Sequence, residues 1–128
     1  MTQQTQSQFF EQAPLFRKPR KQESERSIQR RIEEYLTNRD IVWSRTDCSH
    51  YGNGMPYNHK VTRHGWPDIT ACYCGWFLGI EVKSATGVLS EAQKICHGEL
   101  GEAGAYVVIA RGIPDVRKAL DYCESNPK

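Results

Sequence analysis

The first regular pattern in the chain is a set of apolar residues spaced three or four positions apart, as on one face of an α-helix. They are Ile28, Ile32, Tyr35 and Leu36. The pattern predicts an amphipathic helix that ends near Asn38. Glu25 lies on the same side as this stripe, whereas Glu33 and Glu34 fall away from it. Glu25 therefore either complements the helix dipole or points a carboxylate toward the core side.

Two short β-prone runs lie near the middle of the chain. Ile69–Tyr73 and Trp76–Val82 are rich in branched and aromatic residues, and Cys74-Gly75 separates them. This arrangement predicts a hairpin with a two-residue turn. Counting outward from that turn, one residue per strand at each step, places Asp68 opposite Glu81.

The predicted register makes two carboxylates converge. Directly opposed residues of an antiparallel pair point to the same face, with Cβ atoms roughly 4.5–5.5 Å apart. Lys83 follows Glu81 by two positions and shares its face. Opposed like charges destabilise a hairpin unless a cation or a proton lies between them. Asp68 and Glu81 are thus either a metal site or ordinary strand-end acids with Lys83 as an ion-pair partner.

The second half of the chain predicts a helix, a strand and a final helix. Ser90 and Gln93 have the spacing of a capping box, so Gln93 is either a cap or an aid in orienting water or substrate phosphate. The apolar side of this helix includes Ala92, Ile95, Cys96 and Ala103. The continuous apolar run Ala105–Ala110 predicts a buried central strand. A last helix opens at Ile113-Pro114-Asp115, and its apolar face is Val116, Ala119, Leu120 and Cys123.

With a further strand over residues 41–45, these elements predict an α/β fold. The order is α-β-β-β-α-β followed by a C-terminal helix, which gives a mixed β-sheet flanked by helices. The chain has 128 residues, 38% of them hydrophobic, which suits one modest domain.

Composition narrows the class of protein further. No 18-residue apolar run and no signal-peptide pattern is present, so we expect a soluble intracellular protein with no membrane partner. The odd count of five cysteines favours reduced thiols over a complete disulfide framework. The net charge is only +2, and the basic excess lies in the N-terminal third, which weakly favours a polyanionic partner.

Two stretches lack periodicity. Residues 1–22 are Gln-rich and then basic, and they predict a poorly ordered tail ahead of a domain over residues 23–124, with residues 125–128 as a C-terminal tail. Residues 47–64 predict a polar loop that overhangs the paired acids. Its side chains suit base stacking and phosphate contact. The candidate nucleic-acid contacts are Tyr51, Lys60, Arg63 and His64.

Several motifs occur in order over roughly residues 23–112. They are Glu25-Arg26-Ser27-Ile28-Gln29, Gly65-x-Pro67-Asp68, Glu81-Val82-Lys83, and Leu89-Ser90-x-x-Gln93 ahead of Gly104-Ala105. Together they resemble the PD-(D/E)xK nucleases, and most closely the VRR-NUC domain. Trp66 stands where such proteins often carry a small residue.

The resemblance implies a restriction-endonuclease-like fold and hydrolysis of DNA phosphodiesters with Mg²⁺ or Mn²⁺, in a bacterial or phage setting. Some similar proteins cut branched DNA such as Holliday junctions, a task that favours a homodimer. By motif, the resemblance implies metal ligands at Asp68, Glu81 and the Val82 backbone carbonyl, a catalytic amine at Lys83, a further helix acid at Glu25 and an auxiliary at Gln93.

Two other classes of protein share these features. One is a noncatalytic nucleic-acid-binding or assembly module on the same fold, which would need none of the acids. The other is a zinc-binding module, since thiolate and imidazole ligands favour zinc. Its candidate ligands are Cys48, His50, Cys72 and Cys74, with His59, His64, Cys96 or His97. Burial as small hydrophobes also explains Cys72 and Cys96.

Overall fold

The computed structural model describes residues 20–46 and 63–128. The elements in these ranges are α1 Glu25–Asn38, β1 Val42–Arg45, β2 Ile69–Tyr73, β3 Trp76–Val82, α2 Glu91–Glu102, β4 Tyr106–Ala110 and α3 Ile113–Ser125. This is the predicted order, and both hairpin strands have the predicted bounds.

None of these three helices is long and apolar enough to cross a bilayer. The predictions for residues 1–19, Tyr51 and Lys60 lie outside the described residues.

The four strands form one mixed sheet in the order β1-β2-β3-β4. The pairs β1/β2 and β2/β3 are antiparallel, whereas β3/β4 is parallel. Among the residues that the structure describes, the prediction that the run Ala105–Ala110 forms a central strand is wrong, because β4 lies at an edge of this sheet and Ile109 is 39% exposed. Helices pack near both of its faces, so its sequence is apolar throughout although it pairs with only one strand within residues 20–46 and 63–128.

The turn of the hairpin fixes its register. Cys74 and Gly75 both have positive φ angles, 50° and 81°, as a type I′ turn requires. This turn matches the right-handed twist of the flanking strands, and pairing runs from Tyr73 opposite Trp76 to Ile69 opposite Ile80. The predicted hairpin register is confirmed.

The two faces of the sheet differ in what covers them. Alternate residues of β2 and β3 face α1 and α3 and form the main core with them. Members of this core include Ile28, Ile32, Leu36, Ile69, Leu78, Ile80, Val82, Val116, Ala119 and Leu120. The opposite face carries Gly79 and Glu81, and α2 packs on that side.

Helix α2 differs from its predicted packing. Cys96 is fully buried, but Ile95 is 58% exposed and Ala103 is also exposed. The reason is that the side of α2 facing the sheet presents the polar residues Gln93 and His97, which contact Glu81.

An ion pair joins α1 to β1. Although Glu33 lies off the predicted apolar stripe, it is 6% exposed. Arg45 donates two hydrogen bonds to its carboxylate, from Nε at 2.9 Å and Nη2 at 2.6 Å. These bonds lower the pKa of Glu33 although burial acts in the opposite direction. Glu33 is thus a buried acid with its charge balanced inside the fold.

Candidate functional site

Asp68 and Glu81 meet at the end of the hairpin away from the turn. The last paired residues are Ile69 and Ile80, and one further step places Asp68 opposite Glu81. Asp68 Oδ2 accepts a 2.8 Å hydrogen bond from the Val82 backbone N–H. A hydrogen bond also joins the two carboxyl groups, Asp68 to Glu81. The predicted convergence of the two acids is confirmed, and their chemical role stays a prediction.

Glu81 is the most enclosed member of this pair, at 1% exposure. Its Oε1 accepts a 2.8 Å hydrogen bond from Gln93 Nε2 and lies 4.0 Å from Lys83 Nζ. Its Oε2 lies 3.2 Å from His97 Nε2. Both carboxylate oxygens therefore have partners on α2, and one also faces the lysine ammonium.

Burial and the neighbouring Asp68 charge together raise the pKa of Glu81 to about 8, against a smaller lowering by Lys83. Burial is the larger cause, because a carboxylate loses its hydration in the interior. Burial, assisted by Lys83, also lowers the pKa of His97. His97 is consequently neutral at pH 7, and in the tautomer with the proton on Nε2 it can donate a hydrogen bond to Glu81 Oε2.

Gln93 serves the helix and the site at once. Its side-chain Oε1 accepts from the Ser90 backbone N–H at 2.9 Å, and Ser90 Oγ accepts from the Gln93 backbone N–H at 3.2 Å. The predicted capping box is confirmed. Because the cap holds the oxygen of the amide, the nitrogen end is directed to Glu81.

Lys83 lies just after β3 and is 9% exposed. Its backbone N–H donates to the Ala110 carbonyl at 3.0 Å, which extends the parallel pairing by one residue. Beyond it, Arg111 Nη1 donates to the carbonyls of Ser84 at 2.5 Å and Gly87 at 2.9 Å. The turn that follows the lysine is therefore fastened to the end of β4.

Glu25 lies at the margin of this cluster. It is the first residue of α1, its side chain is exposed, and its Oε1 accepts from the Ser84 backbone N–H at 3.4 Å. A Cβ on Gly87 would lie 3.0 Å from the same oxygen. The charge of Glu25 also raises the pKa of Glu81, by less than burial or the Asp68 charge does. Glu25 thus contacts the turn after Lys83 from an exposed position, and the predicted orientation of its carboxylate toward the core side is not confirmed.

Two glycines let the chain that carries Asp68 lie close to its surroundings. Gly65 has φ of 87°, and a Cβ there would lie 2.3 Å from the Ala92 carbonyl oxygen on α2. A Cβ on Gly79 would lie 2.9 Å from Pro67 Cγ. Both distances are shorter than van der Waals contact, so glycine is required at each position. The approach to Asp68 is packed between α2 and the sheet.

The other described candidates for nucleic-acid contact, Arg63 and His64, are exposed. Arg63 Nη1 lies 2.5 Å from Glu99 Oε2 on α2, so this side chain is tied to the helix. Trp66, which follows them, makes an edge-to-face contact with Phe77 at a centroid distance of 6.0 Å. The bulky residue at this position therefore packs on the sheet.

His97 is a partner of Glu81 that the sequence analysis does not predict, since it indicates His97 only as a candidate zinc ligand. The sequence does contain a pattern that indicates this contact. Gln93 and His97 are four positions apart on a predicted helix, so they share one face. A helix whose sheet-facing side carries an amide and an imidazole predicts a polar partner beneath it.

The fit of a metal ion depends on the donor atoms available. No group of three or more His, Cys, Asp or Glu side chains within residues 20–46 and 63–128 is placed to hold a metal. In the same part of the chain, Cys72, Cys74 and Cys96 are free thiols. Mg²⁺ is usually held by one or two protein carboxylates together with water and substrate phosphates. Asp68 and Glu81 fit that requirement, because they offer two adjacent carboxylates at one end of the sheet.

Comparisons of the chain with protein-family models, curated proteins and solved structures found no match. The structure itself is α/β, with a four-stranded mixed sheet and three helices in the described ranges. The resemblance to VRR-NUC domains therefore rests on the motifs alone.

Proposed function

We propose that this protein is a metal-dependent nuclease that hydrolyses DNA phosphodiester bonds. The observation that supports it is the position of Glu81, which is 1% exposed, hydrogen-bonded to Asp68 and 4.0 Å from the Lys83 ammonium. Two adjoining carboxylates destabilise a fold unless a cation or a proton lies between them. A hydrolytic metal site uses such an arrangement, whereas a purely structural hairpin does not need it.

Asp68, Glu81 and the Val82 carbonyl would hold Mg²⁺ or Mn²⁺. When bound, the ion would lower the pKa of a water molecule and neutralise charge on the scissile phosphate. Hard oxygen ligands favour these two ions over softer metals.

We assign to Lys83 the role of the amine that acts on the phosphate. Its side chain is largely buried, so its charge is screened less than that of a surface lysine. An ammonium fixed beside the two acids would orient the nucleophile or stabilise charge that develops on the phosphate oxygens. Gln93 holds the Glu81 carboxylate in place, and Glu25 adds an acid at the margin.

For the substrate, we propose DNA, with branched forms such as Holliday junctions included. Arg63 and His64 are exposed near the start of the segment that leads to Asp68, where they could contact the backbone of a bound strand. Symmetric cleavage of a four-way junction requires two sites, which a homodimer would provide.

The test is cleavage of linear, flapped and four-way DNA with Mg²⁺ or Mn²⁺. Removal of any one of the three central groups, by Asp68→Asn, Glu81→Gln or Lys83→Ala, is expected to lower the rate at least about 100-fold. The control is Glu91→Gln on α2, which makes the same charge change at a side chain that is 83% exposed. It is expected to cut at the wild-type rate.

Two outcomes would contradict the proposal. Wild-type protein could leave every substrate intact with either ion, or Asp68→Asn could cut as fast as wild type. Thermal melting of each variant checks that a lower cleavage rate is not caused by unfolding. Sedimentation with and without junction DNA tests the dimer.

A further inference from the structure

One face of α2 supplies a hydrogen bond to each oxygen of Glu81. Gln93 Nε2 lies 2.8 Å from Oε1, and His97 Nε2 lies 3.2 Å from Oε2. The two side chains are four residues apart, about one helical turn, so a single rigid element presents both. The Glu81 carboxylate is thus held at both ends from the same side.

Two hydrogen bonds fix the orientation of the Glu81 carboxylate, which one hydrogen bond does not. The terminal torsion of a glutamate is broad, so a carboxylate held by one oxygen can still rotate about its last carbon–carbon bond. A second bond to the other oxygen fixes the plane of the group. Each oxygen can accept about two hydrogen bonds or ligands, and α2 uses one on each. Acceptor capacity on both oxygens is left for Asp68 and for a cation.

Packing alone does not account for an imidazole at this position. The His97 side chain is 10% exposed, and an aliphatic residue would fill the same space without the cost of burying polar nitrogens. Cys96, the neighbour of His97, is fully buried and supplies apolar contact. What His97 adds is the hydrogen bond to Glu81.

We propose that His97 is a positioning residue for the metal site, and that its N–H sets the plane of the Glu81 carboxylate toward a divalent cation shared with Asp68. The inference rests on the proposed function, since the cation is the one that the nuclease reaction requires. His97 acts through Glu81 and touches neither the ion nor the DNA. Partners that orient a ligand in this way typically contribute 10- to 100-fold to metal affinity.

A pair of amide substitutions isolates the hydrogen bond. In His97→Gln the side-chain nitrogen reaches about as far as imidazole Nε2, whereas in His97→Asn it stops one bond short. Both variants are uncharged, polar and smaller than histidine. Binding of Mn²⁺ without DNA is measured by electron paramagnetic resonance of the free ion. We expect about 10- to 100-fold weaker binding by His97→Asn and binding within about threefold of wild type by His97→Gln.

Folding is checked for each variant by thermal melting before the titration. Should His97→Asn not fold at the assay temperature, His97→Leu replaces it, because leucine fills the space and has no donor. The same weakening is expected. The inference is overturned if the folded variant without a donor, His97→Asn or His97→Leu, binds Mn²⁺ as tightly as wild type. It is also overturned if His97→Gln weakens Mn²⁺ binding as much as that variant does.

Cleavage of DNA by the same preparations separates the two proposals. If wild type binds Mn²⁺ and cuts DNA but His97→Asn or His97→Leu binds as tightly, the role of His97 is wrong and the nuclease stands. If wild type cuts no DNA and loss of the donor still weakens Mn²⁺ binding, the nuclease is wrong and the role of His97 stands. If wild type binds no Mn²⁺, the role of His97 is overturned whatever the cleavage result.

Discussion

Two glutamates on opposite sides of the sheet are almost equally enclosed, but the charged groups beside them differ: one adjoins a cation and the other adjoins an acid. Glu33 is 6% exposed and receives two hydrogen bonds from Arg45. Glu81 is 1% exposed and adjoins a second acid, Asp68. The pKa of Glu33 is lowered, whereas that of Glu81 is raised to about 8.

The difference shows that burial alone does not mark a functional acid. At Glu33 the fold supplies the opposing charge, so the pair fastens α1 to β1 and needs nothing more. At Glu81 the nearest ammonium is 4.0 Å away and a second acid adds to the repulsion. The second site becomes favourable when a proton or an external cation is added, and this dependence separates a binding site from a structural ion pair.

The largest expected contrast is in activity. Glu81→Gln is expected to lower DNA cleavage at least about 100-fold, since it removes a charge from the metal site. Glu33→Gln makes the same change at an equally enclosed glutamate and is expected to retain the rate within about threefold once folded, because Glu33 contacts Arg45 on the far side of the sheet. Single-turnover cleavage rates measure both. Equal losses of cleavage rate in the two variants would contradict the assignment of a functional role to Glu81 and a structural role to Glu33.

The next contrast is in stability. Arg45→Ala leaves the Glu33 charge enclosed without its guanidinium, and we expect a loss of about 2 kcal/mol, below the usual cost because water reaches this half-exposed pair. Lys83→Ala is expected to cost less than half of that at pH 7 without metal, because Glu81, with a pKa of about 8, already holds a proton at this pH and is left without an uncompensated charge. Urea unfolding of both variants provides the measurement. A larger loss in Lys83→Ala would mean that Glu81 is held ionised by the lysine.

The two acids also predict opposite responses to pH in metal-free protein. The folded state holds a proton on Glu81 up to about pH 8, whereas the unfolded state releases it near the ordinary value of 4.5. Stability from this group is therefore full below about pH 4.5 and is lost as pH rises toward 8. The lowered pKa of Glu33 has the reverse effect, so its contribution is present above pH 4.5 and is lost as the solution becomes more acidic.

Melting temperatures in a chelating buffer from pH 4 to 8 test these signs. Relative to wild type, Glu81→Gln is expected to gain stability as pH rises, and Glu33→Gln is expected to lose it. Added Mg²⁺ is expected to stabilise wild type most at the alkaline end. Parallel curves for the two variants would contradict the assignment.

The smallest effect concerns the turn that brings Asp68 and Glu81 together. Cys74 has φ of 50°, which asparagine adopts more readily than cysteine. Cys74→Asn is expected to add about 0.5 kcal/mol to the free energy of unfolding without changing the cleavage rate. Cys72→Asn is the matched control, because Cys72 is an exposed residue in an extended strand of the same hairpin. A gain in both variants would show that the turn is not its source.

Local patterns predicted the parts of the site that are close in sequence. A two-residue turn sets the count along both strands, so the opposition of Asp68 and Glu81 followed from Cys74-Gly75. The Ser90–Gln93 cap followed from a spacing of three residues. In each case the partners are joined by a short piece of chain with few allowed conformations.

The features that were missed depend on packing between distant elements. Glu33 is enclosed because Arg45 reaches it from β1, and the helical periodicity of α1 cannot predict a contact with another element. His97 meets Glu81 because α2 covers that end of the sheet. The edge position of β4 has the same origin, since an apolar run shows that a strand is covered and does not show how many strands adjoin it.

The alternation of side chains along the hairpin limits how its length can change. One extra residue in a single strand between Asp68 and the turn would send that carboxylate to the opposite face. One extra residue in each strand would keep the acids opposed but reverse the faces of every pair nearer the turn. Two extra residues in each strand restore both relationships. Related chains are therefore expected to differ in the separation of the two acids by steps of four residues, a rule that can guide the search for distant relatives.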